Sequence, residues 1–167
     1  MGRNALSRGT EVELMTKPYL KKYLNYHLKG MPLSVNMLTP LGVYIHGLLR
    51  RKMLKSDYDD HMGKYKSSYT MSITDFYLFE QGVRNLTSWA VVQINGIIDS
   101  EFKREMYTCV SISTHYEHKE VKEAVSDYMV KYDLCESDIP METLMTNYKR
   151  IRKRGNHQRS IFLWPFN

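Results

Sequence analysis

Between residues 64 and 74 apolar and polar positions alternate, with Ser67 the one polar residue on the apolar face. Tyr65, Ser67, Tyr69, Met71 and Ile73 fall on one face, and Lys64, Lys66, Ser68, Thr70 and Ser72 on the other. Period two with one polar face predicts a strand wet on one side. Residues 10–16 alternate more briefly, with Val12 and Leu14 either side of Glu13, and predict a second short strand. Phe76 to Phe79 extends the strand, bends it or opens a helical turn; the pattern leaves these alternatives open.

Elsewhere the apolar period is helical. Pro18 opens a helix to about Leu28, with Leu20, Tyr23, Leu24 and Leu28 on one face and Lys21, Lys22, Asn25 and Lys29 on the other; Gly30 and Pro32 end it. Thr39 is placed to cap a helix that begins at Pro40 and carries Leu41, Tyr44, Ile45, Leu48 and Leu49. It runs into Arg50, Arg51 and Lys52, a cationic end that the helix dipole alone favours. A long central helix is predicted from about Thr87 to Val110, where Val91, Ile94, Ile98, Phe102 and Met106 recur near helical spacing. The β-branched run 107–114 leaves it open to an early exit, and Gly96 weakens it by about 1 kcal/mol. Two closing helices follow, at 119–132 and 140–154, with Ser137, Pro140 and Glu142 as the start signal of the second. Val121, Ala124, Val125, Tyr128 and Met129 stripe the first; Met141, Leu144, Met145, Tyr148 and Ile151 stripe the second. The two stripes are expected to face each other.

These elements predict a mainly helical α+β fold. A small sheet of strands near 10–16 and 64–74 accompanies a long central helix and a C-terminal antiparallel helix pair. The polar stretch 56–63 is the best internal boundary. It separates a basic strand-helix-helix segment, 1–55, from residues 64–154, the two being packed as one domain, with 155–167 as a tail. At 167 residues the chain is long enough to bury a core without disulfides or metals. Tyrosine is plentiful, with 13 copies, and serves either a core edge or a stacking surface.

Charge changes this picture. Residues 1–55 hold ten basic and two acidic side chains, 56–146 eight and sixteen, and 147–167 six and none. Two cationic ends around an acidic middle offer two surfaces to one polyanion, or neutralise the middle within a chain or between copies. Lys149, Arg150, Arg152, Lys153, Arg154 and Arg159 crowd the C-terminal end without an acid among them. They are the expected nucleic-acid contacts, with Arg50, Arg51 and Lys52 as a second site. The segment Asp133–Ile139 between the closing helices is too long for a tight helix-turn-helix reader. Residues 161–167 (IFLWPFN) bring Ile161, Phe162, Trp164 and Phe166 to the end of the chain. Such a group docks on its own core, on another copy or a partner protein, or on a membrane surface.

Chemistry is sparse. His115 and His118 with Glu117 and Glu120 suggest a metal pair but lack a third histidine or a cysteine, so no metal is expected. Asp57, Asp59 and Asp60 lack the glycine and distal glutamate of a calcium loop and read as solvated. No glycine-rich phosphate loop, nucleophile elbow or paired carboxylates stand out, and neither enzymatic activity nor a cofactor is expected. Cys109 and Cys135 form no motif, Arg3 and Arg8 precede no apolar run, and no uncharged stretch is long enough to span a bilayer. The expectation is a cytoplasmic chain with reduced thiols and no membrane partner.

Two resemblances follow from these residues. Strand 10–16, KPYLKKYL and the helix from residue 39 resemble the order of a ribbon-helix-helix DNA-binding domain across residues 10–54. That order implies a strand paired with its copy in the major groove, though Glu11 and Glu13 at the polar positions depart from it. The wider order resembles small basic proteins carried by bacteriophages and mobile elements of gut bacteria. Its features are KPYLKKYL, a tyrosine-rich strand, a long central helix, and Tyr132-x-x-x-Glu136-Ser-Asp-Ile-Pro-x-Glu-Thr-Leu before the Tyr148-Lys-Arg helix. This resemblance implies a role near phage or element DNA in a bacterial host cell, and the chain is expected to act there as a homo-oligomer. The rival expectation is a phage particle component whose basic ends meet acidic partners and whose tail holds a phage protein.

Overall fold

The computed structural model describes residues 9–49, 59–74 and 86–155. In chain order these form β1 (Gly9–Thr16), α1 (Pro18–Leu28), β2 (Leu33–Val35), α2 (Pro40–Leu49), a short 3₁₀ helix (Asp59–Lys64), β3 (Ser67–Thr74), α3 (Ser88–Tyr116), α4 (Val121–Lys131) and α5 (Met141–Gly155). The fold is mainly helical α+β with a small mixed sheet, as the periodicities predict. It divides into two compact units: residues 1–17 with 28–95, and residues 18–27 with 96–167. The division passes through α3 and does not fall at the polar stretch 56–63.

The first unit is built on a three-stranded sheet in the order β1-β3-β2. β1 and β3 are antiparallel, with Leu14 opposite Tyr69 and Val12 opposite Met71. β2 runs parallel to β3, with Leu33 beside Met71 and Val35 beside Ile73. Alternation puts Leu14, Thr16, Leu33, Val35, Tyr69, Met71 and Ile73 in the core. Glu11, Glu13 and Met15 remain exposed on the other face of β1. The pairing corrects the ribbon-helix-helix order: β1 forms its ladder with β3 of the same chain, and a third strand intervenes between α1 and α2. β2 was not legible in the sequence, because three residues carry no period. Thr39 Oγ accepts from the Gly42 amide at 3.0 Å, which confirms the cap of α2. Gly42 is required there, since a Cβ on it would overlap the backbone of Asn36.

A buried amide ties β1 to the first turns of α3. Asn95, 1% exposed, donates to the carbonyls of Met15 and Val91, each at 2.8 Å, and its own carbonyl accepts the Thr16 hydroxyl at 2.7 Å. An amide buried with its hydrogen bonds made costs little and fixes register.

The second unit packs α1, α4 and α5 with the remainder of α3. Its centre is Phe102, whose ring lies 5.1 Å from that of Tyr19 and 5.5 Å from those of Tyr23 and Tyr128. The predicted stripe of α3 is buried at Ile98, Phe102 and Met106 and continues to Val110. The burial of Val110 keeps the β-branched run helical to Tyr116, six residues past the expected end, because packing outweighs a propensity cost of a few tenths of a kcal/mol per residue. α4 ends in a left-handed turn at Asp133 (φ 52°), where the Leu134 amide returns to the Met129 carbonyl at 2.8 Å.

Candidate nucleic-acid interface

α4 and α5 pack together, as their stripes predict. Ala124, Val125, Tyr128 and Met129 are buried from α4, and Leu144 and Tyr148 from α5. Met141, Ile151 and Val121 are half-buried, at the margin of the contact. The start of α5 differs from expectation. Ser137 does not cap it: the Glu136 carboxylate accepts the Met141 amide at 3.3 Å, while the Ser137 hydroxyl meets Cys135 Sγ at 3.0 Å. A carboxylate at a helix N-terminus is also favoured by the dipole.

With that stripe buried, the cations of α5 turn outward. Lys149, Arg150, Arg152 and Lys153 are all exposed. Arg150 donates to the buried Asn147 side-chain carbonyl, a neutral partner that leaves the guanidinium charge in place. Among the described residues none of these four side chains is ion-paired to a carboxylate. Arg154 lies in the last turn of the helix. Arg159 and the second predicted site, Arg50, Arg51 and Lys52, lie outside the described residues, as do the tail residues Ile161, Phe162, Trp164 and Phe166. Asp57 lies outside them too. Asp60 is exposed.

His115 and His118 do not form the metal pair considered above. His115 lies in the last turn of α3, whereas His118 lies beyond the helix in a left-handed conformation (φ 55°), so they share no helix face. Among the described residues no group of three or more histidine, cysteine or acidic side chains is arranged to hold a metal ion. Among them also no helix is long and apolar enough to cross a membrane.

A second polar constellation escaped the sequence. The Glu105 carboxylate, a quarter exposed, gathers donors from α1, α3's neighbour α4, and the turn after it. Oε2 accepts from the Tyr23 hydroxyl at 3.1 Å and lies 3.0 Å from His27 Nε2. Oε1 accepts from Lys131 at 2.8 Å and from the Tyr132 hydroxyl. Burial pulls the Glu105 carboxyl upward. Hydrogen bonds from His27, Lys131 and Tyr132 outweigh it and hold the group well below the usual carboxylate range. Burial and then the adjacent carboxylate push the Tyr132 and Tyr23 phenols far up, so both stay protonated as donors. Near it, Asp138 accepts from Lys22 at 2.8 Å and from the Cys135 amide at 3.0 Å, which fixes α1 to the α4–α5 connection. No sequence signal marks Glu105, because its partners come from segments far apart in the chain. Tyr23 and His27 at i,i+4 on α1 were the available hint, but one face of one helix does not name its partner.

No protein-family model, no curated protein and no solved structure matches this chain.

Proposed function

We propose that this chain binds nucleic acid, DNA first, without catalysing a reaction, and that it contacts phosphates through the C-terminal half of α5. The carrying observation is that Lys149, Arg150, Arg152 and Lys153 are exposed on a helix whose apolar stripe is anchored in the core. Cations held on a rigid element, with no acidic partner among the described residues, remain available to phosphate, and counterion release supplies the affinity. The resemblance to small phage and mobile-element proteins supports a role near phage or element DNA in the bacterial cytoplasm; the homo-oligomeric state is part of the same proposal.

Replacing Lys149, Arg150, Lys153 and Arg154 together with glutamine abolishes DNA binding at moderate salt. The helical circular dichroism spectrum is unchanged, since exposed charges at a helix end add little stability. Unaltered affinity in a variant with a native spectrum would refute the reading.

A second reading, an oligomeric structural or interaction protein such as a phage particle component, is favoured by a separate observation. Around β2 and α2 the apolar side chains Met31 (62% exposed), Met37 and Leu38 (92% exposed) face solvent. Under that reading the protein forms assemblies of defined mass and binds DNA no more tightly than its net charge alone dictates.

A further inference from the structure

A cation already sits in an aromatic corner of the second unit. Lys131 Nζ lies 4.8 Å from the ring centre of Tyr132, 5.4 Å from that of Tyr26 and 2.8 Å from Glu105 Oε1. The two rings are 4.7 Å apart and meet edge to face, with their planes at 65°, and Lys131 Nζ lies over both. The mouth of the corner is open to solvent, with Tyr26 50% exposed and the Lys131 side chain 35%, while Tyr132 at its base is 2% exposed and becomes accessible as Lys131 moves out. It is also held by contacts that do not involve Lys131. Tyr132 bonds Glu105 and lies 3.1 Å from His27 Nε2 through its hydroxyl, His27 packs edge-on against Tyr23 at 4.5 Å, and Tyr23 bonds Glu105 in turn.

Two ring faces and a carboxylate converging on one point constitute cation-recognition chemistry. A primary ammonium is a strongly hydrated point charge. A methylated or quaternary ammonium gives up water more readily and lays methyl groups on ring faces. Lys131 is the last residue of α4, and its flexible stem lets the ammonium swing into water while the helix stays wound. We propose that Tyr26, Tyr132 and Glu105 form a receptor corner for a methylated or quaternary ammonium group, and that Lys131 fills it as an internal surrogate in the unliganded chain. The ligand has the opposite charge to the polyanion of the preceding section, so this site stands or falls independently of that reading.

The test titrates choline, and separately its neutral isostere 3,3-dimethylbutan-1-ol, into the full-length protein and its Lys131→Ala variant at constant ionic strength. Tyrosine ring resonances are followed by NMR. Choline shifts the Tyr26 and Tyr132 rings saturably in Lys131→Ala, with affinity at least roughly tenfold above wild type, as removal of a competing cation requires. The alcohol gives no saturable shift, and adding Tyr26→Leu to Lys131→Ala abolishes the choline response. Should Lys131→Ala unfold, the wild-type protein decides: choline at high concentration shifts the Tyr26 ring and the Lys131 side-chain signals together. Equal responses to choline and the alcohol would reveal an unselective apolar void. No response to either in a folded protein would reveal a plain ion pair. Both results overturn the proposal.

Discussion

Glu105→Leu lowers the stability of the protein by about 2–3 kcal/mol, within the range for donors stripped of a shared buried acceptor. The substitution removes a carboxylate that accepts from Tyr23, Lys131 and Tyr132 and faces His27, and it leaves phenols on α1 and after α4 without that partner. Leucine fills much of the volume, so the loss comes mainly from these orphaned groups. Partial exposure of Glu105 and Lys131 lets water recover part of it, which keeps the figure below that of a deeply buried pair.

The same carboxylate makes stability depend on acid. Its folded pKa is depressed, so its contribution is complete above the unfolded value of about 4.3 and is lost as pH falls below it toward the folded value. Asp138, also depressed although burial opposes the shift, adds in the same direction. The melting temperature of the wild type therefore drops as pH is lowered from about 5 to about 3, and Glu105→Gln shows a shallower drop over that window. Chemical denaturation at neutral pH and thermal melts across the acid range measure both effects. Equal acid slopes for wild type and Glu105→Gln would show that the network does not hold the carboxylate in solution.

Leu144→Ala costs roughly 2–5 kcal/mol, the range for a leucine truncated in a packed core. Leu144 is fully buried at the α4–α5 contact, where Val125 is likewise fully buried, and Tyr148 follows one turn on. The effect reaches beyond stability, because this stripe holds Lys149, Arg150, Arg152 and Lys153 on the outer side of one rigid helix. A loss under about 0.5 kcal/mol would mean that α4 and α5 do not pack as described, since even modest cavities exceed it.

The parts of this fold that were legible in the sequence are those whose signal is local. Strands β1 and β3 announce themselves by alternation, and α3, α4 and α5 by stripes, because burying one face imposes a period on neighbouring residues. Thr39 and Gly30 act as start and stop signals, respectively, through local chemistry that needs no distant partner. The illegible parts depend on distant residues. α1 follows β1 after a single residue, yet it belongs to the second unit through Tyr19 on Asp99, Tyr23 and His27 on Glu105, and Lys22 on Asp138. Its lysine-rich outer face gives no hint of this. Asn95 and Asn147 are buried although their residue type carries no signal of it, each with a hydrogen-bond partner supplied by tertiary or local structure. Of the proposed interface, the exposed cations of α5 were legible because one stripe predicted both what is buried and what is not. Glu105 was not, because a lone acid in mid-helix reads as solvated until its partners are placed beside it.

The most direct test of the central claim is the salt dependence of DNA affinity, compared between the wild-type protein and the variant with Lys149, Arg150, Lys153 and Arg154 replaced by glutamine. If each of these four side chains neutralises one phosphate, the slope of log affinity for duplex DNA against log salt concentration is steeper by about 3 to 4 in the wild type than in the variant, which keeps only the contact of Arg152 on this helix. The same steep slope in both proteins, or no measurable binding by the wild type at low salt, would contradict the account.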